Sequence, residues 1–401
     1  MIVFSILLSF LLSTFSGADE APLLTVGILE NQTSLEIGAQ YGFRVHDCND
    51  GDKIVFTRWN NSPLRFSVTA RGFGFLTYGN LTSVEIRPFR SGFVTLNGSA
   101  YRGKMRVVED GMGKITVINE IDVESYLYGV IKSEMLINSP YEALKSQAVV
   151  ARTYAIVNAN KFQEQLGFGL SNDVRSQVYK GVDDEHPLSI EVVDKTRGQI
   201  LVYEDEPIST YYHAACGGAT LDSRDWYGKE VPYLRSKKCG FCSDYPGYKW
   251  ELELSYQTVL NLLRKRGRRI KEMKKIAFEK DEDGRVKRVE FFHTDGVFSV
   301  SGTTFRELIG AATLKSTFFS VVKEEQNLNA GAVDAEAAIR NILNQFMSSS
   351  AGEKKLFLQG TGFGHGVGLC QWGAKGFARQ GKSYEEILKY YYHGVAIKKI
   401  Y

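Results

Sequence analysis

His213-x-x-Cys216 and Cys239-Gly-Phe-Cys242 are two ligand pairs of the kind that close a tetrahedral zinc site. A two-residue gap lets both side chains of a pair reach one ion, and Gly217, Gly218 and Gly240 let the backbone turn around it. Four protein ligands leave no open position for a catalytic water, so a metal held by His213, Cys216, Cys239 and Cys242 would be structural. A Cys239–Cys242 disulfide is the competing use of the same thiols. The chain has five cysteines, with Cys48 and Cys370 completing the count, so at least one thiol stays outside any intramolecular disulfide.

Residues 360 to 369 read Gly-Thr-Gly-Phe-Gly-His-Gly-Val-Gly-Leu, with glycine at every second position. As a strand, this run would show one face of bare backbone, with Thr361, Phe363, His365, Val367 and Leu369 on the other. Glycine weakens a strand, so its repetition implies close approach to the backbone by another part of the protein or by a ligand. The spacing fits neither a dinucleotide turn nor a P-loop.

Glu134 lies in Ile131-Lys132-Ser133-Glu134-Met135, between apolar residues and just before a helix start. Burial there would favour its protonated form and suit it to donate a proton, whereas Lys132 and the helix end would favour the carboxylate. From local chemistry alone Glu134 reads as a surface or capping residue. The helix start is Ser139-Pro140-Tyr141-Glu142: a serine cap, a proline at the first helical position and a glutamate able to close a capping box. Leu144, Ala148, Ala151 and Ala155 follow at helical spacing, which predicts a helix from Pro140 to Lys161 with that face inward.

Before Glu134 the texture is that of strands. Lys53–Thr57 and Leu64–Val68 alternate or cluster apolar residues between turn signals such as Asn49-Asp50-Gly51 and Asn97-Gly98, and Val107–Ile118 reads as a hairpin. Strands return from Arg197 to Leu221, and residues 250 to 325 mix helix with strand. Strands do not alternate regularly with helices, so the expected class is α+β with antiparallel sheet dominant.

With 401 residues, the chain can bury one large core or two to three smaller ones; 43% hydrophobic and 24% charged residues exclude a mostly disordered chain. A net charge of +3 gives no reason to expect a nucleic-acid partner. One run is strongly basic, Arg264-Lys265-Arg266 with Arg268, Arg269, Lys271, Lys274 and Lys275, and reads either as a solvated helix face or as an attraction for an anionic polymer. Met1 to Leu12 is almost wholly apolar and Ser16-Gly17-Ala18 suits signal peptidase, so residues 1–18 are expected to be a signal peptide, although no Lys or Arg precedes the apolar run. A buried N-terminal strand is the alternative. No other segment approaches the roughly 20 apolar residues of a membrane span. The expected organisation is a β-rich accessory region at 19–105 and a second domain at 106–401, interrupted by a small-residue-rich, polar insertion at 327–353.

Several stretches resemble the stage II sporulation protein D family (SpoIID/LytB): Ile118 to Met135, Glu142 to Ala155, Ser176-Gln177-Val178-Tyr179-Lys180-Gly181, Phe305 to Gly310, Leu314 to Phe318, and Gly360 to Gly394. They occur in the family's order over about three quarters of the chain. The resemblance implies an exported lytic transglycosylase that cleaves the MurNAc-β-1,4-GlcNAc bond of peptidoglycan strands stripped of stem peptides, leaving 1,6-anhydro ends. A cell-wall amidase is the partner class it implies. Glu134 stands in the place of the family's catalytic glutamate. Lys132, Arg152, Gln177, Tyr179, His365 and Gln371 are then candidates for positioning substrate, and the His213, Cys216, Cys239 and Cys242 set falls where a zinc site is expected. The sequence departs from the pattern at Cys370, where a serine or another polar residue is expected. A denuded-glycan-binding protein without catalysis is the alternative reading.

Overall fold

The computed structural model describes residues 20–326 and 354–401; the expected signal peptide (1–18) and insertion (327–353) lie outside them. The described chain is α+β and its sheets are mainly antiparallel. Its described residues divide into two compact units, residues 20–137, 151–200 and 397–401 in the first and residues 138–150, 201–326 and 354–396 in the second.

The first unit opens with twelve strands: β1 (Leu23–Gln32), β2 (Ser34–Ala39), β3 (Phe43–Asp47), β4 (Lys53–Arg58), β5 (Leu64–Thr69), β6 (Gly72–Phe75), β7 (Tyr78–Leu81), β8 (Ser83–Pro88), β9 (Val94–Leu96), β10 (Ser99–Tyr101), β11 (Lys104–Glu109) and β12 (Ile115–Asp122). With β13 (Leu170–Ser171) they form a seven-stranded sheet ordered β13-β1-β12-β11-β8-β3-β4 and a six-stranded sheet ordered β10-β9-β2-β5-β6-β7. Alternation selects the inward faces: Phe43 and Val45, Val84 and Ile86, and Leu64 and Phe66 are buried. Phe56 of β4 meets Phe75 of β6 edge to face at 5.6 Å, joining the two sheets through their aromatic core. The boundary expected between 105 and 106 falls inside β11, which pairs with both β8 and β12.

Helix α1 (Val123–Glu134) follows β12 without a loop, because Asp122 caps it by accepting from the N–H groups of Glu124 and Ser125. Val123, Tyr126, Leu127, Val130 and Ile131 recur at i, i+3, i+4, i+7 and i+8, and all are buried. Helix α2 (Tyr141–Val157) begins one residue later than Pro140 and ends four before Lys161; its expected inward residues Leu144, Ala148, Ala151 and Ala155 are fully buried. Glu142 accepts from Tyr384 N–H at 2.8 Å and pairs with Lys145 at 2.8 Å, so its carboxylate is spent on contacts of the second unit. The first unit is completed by α3 (Gln163–Leu166) and α4 (Pro187–Lys195).

The second unit contains α5 (Ser223–Tyr227), α6 (Tyr256–Lys265), α7 (Gly302–Ile309), α8 (Gln371–Arg379) and α9 (Tyr384–Tyr391). Lys354–Thr361 is the central strand of a three-stranded antiparallel sheet, between Lys249–Ser255 and Phe319–Gln326. A second antiparallel meander, Met273–Lys280, Val286–His293 and Gly296–Ser301, shares its core through Val289, Phe291, Phe305, Phe319 and Leu358. Among the described residues no helix is long and apolar enough to cross a membrane.

Candidate functional site

Glu134 is the last residue of α1, half-buried, and its Oε1 accepts a hydrogen bond from Val178 N–H at 2.6 Å. The α1 amphipathic stripe ties the helix to the core, and the Ser176–Gly181 segment returns beside its end. The carboxylate is thereby fixed by a backbone donor rather than left on a mobile surface side chain. Tyr126, two turns earlier on the same helix, is fully buried; burial pushes its phenol well above the ordinary range, and the Glu134 charge adds to the effect. Tyr126 donates to Gln177 Oε1 at 3.4 Å, and Gln177 donates to Ala151 carbonyl at 3.4 Å.

The candidate positioning residues around Glu134 have structural partners. Lys132 forms an ion pair with Asp184 at 2.8 Å, and Asp184 also accepts from Ser133. Gln177 is fully buried. Tyr179 is 2% exposed, with its ring 4.9 Å from that of Tyr126 and its hydroxyl donating to Asn119 at 3.1 Å, so it serves as a core aromatic. Arg152 is wholly buried: Nε and Nη2 grip the two oxygens of Glu124 at 3.0 and 2.7 Å, and the guanidinium also reaches the carbonyls of Val193 and Gln199. Glu124 accepts further bonds from Gly198 N–H at 3.0 Å and Tyr401 hydroxyl at 2.7 Å. A bidentate pair saturated in this way holds the fold together and has no donor left to offer a substrate.

His365 and Gln371 belong to the second unit. His365 Nδ1 accepts from Val367 N–H at 3.1 Å, which leaves Nε2 as the protonated nitrogen donating to Tyr212 carbonyl at 2.8 Å. Burial lowers the His365 pKa to about 4, so the ring is neutral near pH 7 and staples two backbone segments. Gln371 is 7% exposed and donates to Gln147 at 3.2 Å.

The glycine run is not one extended strand. The strand ends at Thr361, and Gly362, Gly364, Gly366 and Gly368 all take positive φ, between 71° and 122°. A Cβ on Gly362 would lie 2.6 Å from Ala215 O, one on Gly364 would lie 2.6 Å from His213 Cβ, and one on Gly366 would lie 3.1 Å from the Arg285 guanidinium. The bare backbone is thus packed against residues 213–217 and Arg285, which answers the question left open between internal packing and a ligand.

That packing assembles the thiols. Tyr212–His213 pairs in parallel with Leu369–Cys370, and the Sγ atoms of Cys216, Cys239, Cys242 and Cys370 lie within 4.8 Å of one another, all buried and none in a disulfide. The cluster that could hold a metal therefore differs from the expected set: Cys370, not His213, lies with the other three thiols. The pairing turns Cys370 Sγ toward Cys216 N–H at 3.3 Å, whereas the His213 ring packs on that of His365 at 5.4 Å and its Nδ1 lies 3.1 Å from Val367 O.

Four sulfurs at 2.3 Å from a zinc ion are about 3.8 Å apart along a tetrahedral edge. The Cys216–Cys242 separation is 3.5 Å, close to that edge and far from a disulfide bond. Gly373 N–H at the start of α8 donates to Cys370 Sγ at 3.4 Å, and Tyr391 hydroxyl lies 3.4 Å from Cys239 Sγ, so donors that steady thiolates are in place. Hydrogen bonds from Cys216 and Cys242 pull the Cys239 pKa down, while burial pushes that of Cys370 up. Arg285, 1% exposed, donates to the carbonyls of Cys216 and Ala219 at 2.5 and 2.7 Å and places a positive charge beside the cluster. The donor set fits a soft, tetrahedral metal ion. The signal for Cys370 was present in the odd cysteine count, but the contact spans 154 residues and depends on the parallel pairing.

The SpoIID family (Stage II sporulation protein) matches residues 111–203, which include α1, Glu134 and the Ser176–Gly181 segment. An uncharacterised protein of Brachyspira hyodysenteriae is 33% identical over 321 residues, covering 78% of each chain. Stage II sporulation protein D of Bacillus subtilis is 27% identical over 79% of this chain and 85% of its own. The amidase enhancer of Bacillus subtilis is 29% identical over 80% of this chain, but the match spans only 47% of that longer protein. Together with the ordered motifs, these matches establish that the chain belongs to the SpoIID family.

Proposed function

We propose that this protein is an exported lytic transglycosylase of peptidoglycan, with Glu134 as its single acid and base. Glu134 protonates the glycosidic oxygen as the MurNAc–GlcNAc bond breaks. As carboxylate it then takes the proton from the C6 hydroxyl of the same MurNAc, whose oxygen closes onto C1 to leave the 1,6-anhydro ring. Both protons pass through one residue, so the second carboxylate of an ordinary glycosidase is not required. The observation that carries the reading is the half-buried Glu134 carboxylate, fixed by Val178 N–H at the end of a core-anchored helix. We further propose that Cys216, Cys239, Cys242 and Cys370 hold a structural zinc ion, whose contribution would be to cross-link the segments that carry them.

The test is mass spectrometry of products released from amidase-treated and untreated sacculi. Wild type should release anhydro-ended fragments from the treated material, and Glu134→Gln should lower their yield roughly 10²–10⁴-fold, the worth of a general acid–base group, with binding retained. A second reading, binding to denuded glycans without cleavage, draws support from a relative being named an amidase enhancer. It would be favoured by intact binding with no product from wild type.

A further inference from the structure

Strands β4, β3 and β8 are neighbours in the seven-stranded sheet, and one end of this trio carries an exposed aromatic and cationic surface. Phe43 pairs with Arg58 on one side and Pro88 on the other, so the residues just beyond these positions meet at the same strand ends. Trp59, 77% exposed, stacks on Phe89 with ring centroids 5.0 Å apart. The Arg44 guanidinium lies 5.3 Å from the Phe89 centroid, and that of Arg90 lies 5.8 Å from the half-exposed ring of Tyr41. The close approach is built in: Phe89 N–H donates to Gly42 carbonyl at 3.0 Å, and a Cβ on Gly42 would strike the Arg58–Trp59 backbone.

The charge here is one-sided. Residues 39–44, 57–64 and 87–93 contain Arg44, Arg58, Arg87 and Arg90 and no Asp or Glu. Among the described residues Arg87 pairs with Glu85 and Asp52, whereas Arg44, Arg58 and Arg90 form no ion pair. Arg90 also lines an open cavity of about 400 Å³ beside the patch. Leaving a tryptophan in water brings no gain to the fold, so an exposed indole braced by a second ring is an unfilled contact surface. Flat rings take the C–H faces of pyranose sugars, and guanidinium groups take carboxylates in bidentate geometry.

We infer that this strand-end surface is a second glycan-binding site, which holds a carboxylate-bearing glycan strand apart from the reaction centre. The identity of the polymer rests on the proposed function. Muramic acid freed of its peptide exposes a lactyl carboxylate, so a denuded strand repeats a sugar face and a negative charge along its length. Trp59 with Phe89 and Tyr41 would receive the faces, and Arg44, Arg58 and Arg90 the charges. An aromatic and cationic surface also suits single-stranded nucleic acid, and the test includes that polymer.

The experiment measures binding of the full chain to purified amidase-treated glycan strands, to uncharged chitin oligosaccharides and to a twenty-residue oligothymidylate. Trp59→Ala should weaken binding to the treated strands about ten-fold, the usual loss for a central stacked ring. Arg44→Gln with Arg90→Gln should flatten the dependence on salt, and chitin oligosaccharides should bind more weakly than the carboxylate-bearing strands. Binding by Trp59→Ala within two-fold of wild type, or oligothymidylate binding as tight as glycan binding, would overturn the inference. Anhydro-ended products report separately on the reaction: their absence from wild type with Trp59-dependent binding intact defeats the proposed reaction and leaves this site standing. Their normal release together with unchanged Trp59→Ala binding defeats this site alone.

Discussion

Arg152→Met tests whether the buried guanidinium serves the fold or a substrate. The substitution keeps much of the side-chain volume and removes both bonds to Glu124, at 3.0 and 2.7 Å, together with those to the Val193 and Gln199 carbonyls. Glu124, 1% exposed, would keep only Gly198 N–H and Tyr401 hydroxyl as donors for a charge that cannot reach water. Breaking a buried pair by removing one partner costs about 3–5 kcal/mol, a large share of the roughly 5–15 kcal/mol that stabilises a domain. Glu124→Gln in the same chain removes the stranded charge while its side-chain oxygen can still accept from both donors. The double variant should therefore be about 2 kcal/mol more stable than Arg152→Met alone, a coupling of the size seen for residues in contact. Urea unfolding followed by circular dichroism at neutral pH measures all three chains. The reasoning fails if Arg152→Met unfolds within about 1 kcal/mol of wild type and loses only affinity for glycan, because the guanidinium would then be acting on substrate.

Two further outcomes follow from the second unit. Cys370→Ser should lower bound zinc, measured by elemental analysis of the purified chain, whereas His213→Ala should leave the metal-to-protein ratio unchanged; the opposite pattern would restore the histidine ligand. Binding free energy at a structural zinc site is folding free energy, so chelation should also lower the melting temperature of wild type. Gly362→Ala places a Cβ 2.6 Å from Ala215 O and Gly217 N at a φ of +83°, and neither backbone atom can move as a side chain would. A loss of about 2–5 kcal/mol in urea unfolding is expected, from left-handed strain of roughly 1–2 kcal/mol plus overpacking of roughly 1–3 kcal/mol; stability within experimental error of wild type would refute the packing role of the glycines.

Local pattern made a good part of this protein legible. Alternation and turn residues between Thr25 and Ile118 announced the strands, and β11 with β12 forms the expected hairpin, because period and turn chemistry act over a few residues. The alanine face of α2 was readable for the same reason. The order of the motifs pointed to the family that the comparisons then established.

What the chain could not state is which partners its polar side chains take across long separations. Arg152 reads in the sequence equally as a substrate-positioning group or as half of a structural salt bridge, and Glu124 consumes it inside the first unit. Tyr179 is a candidate for positioning substrate in the sequence, yet it is enclosed by Tyr126, Tyr101 and Asn119. The cysteine cluster shows the division most directly. Residue types and the Cys239–Cys242 gap pointed to a cluster of side chains able to hold a soft metal, because two such groups on one tight turn need nothing from the rest of the fold. Only tertiary structure chose Cys370 over His213, because parallel pairing of Tyr212–His213 with Leu369–Cys370, reached through glycines at positive φ, decides which side chain meets the other three thiols.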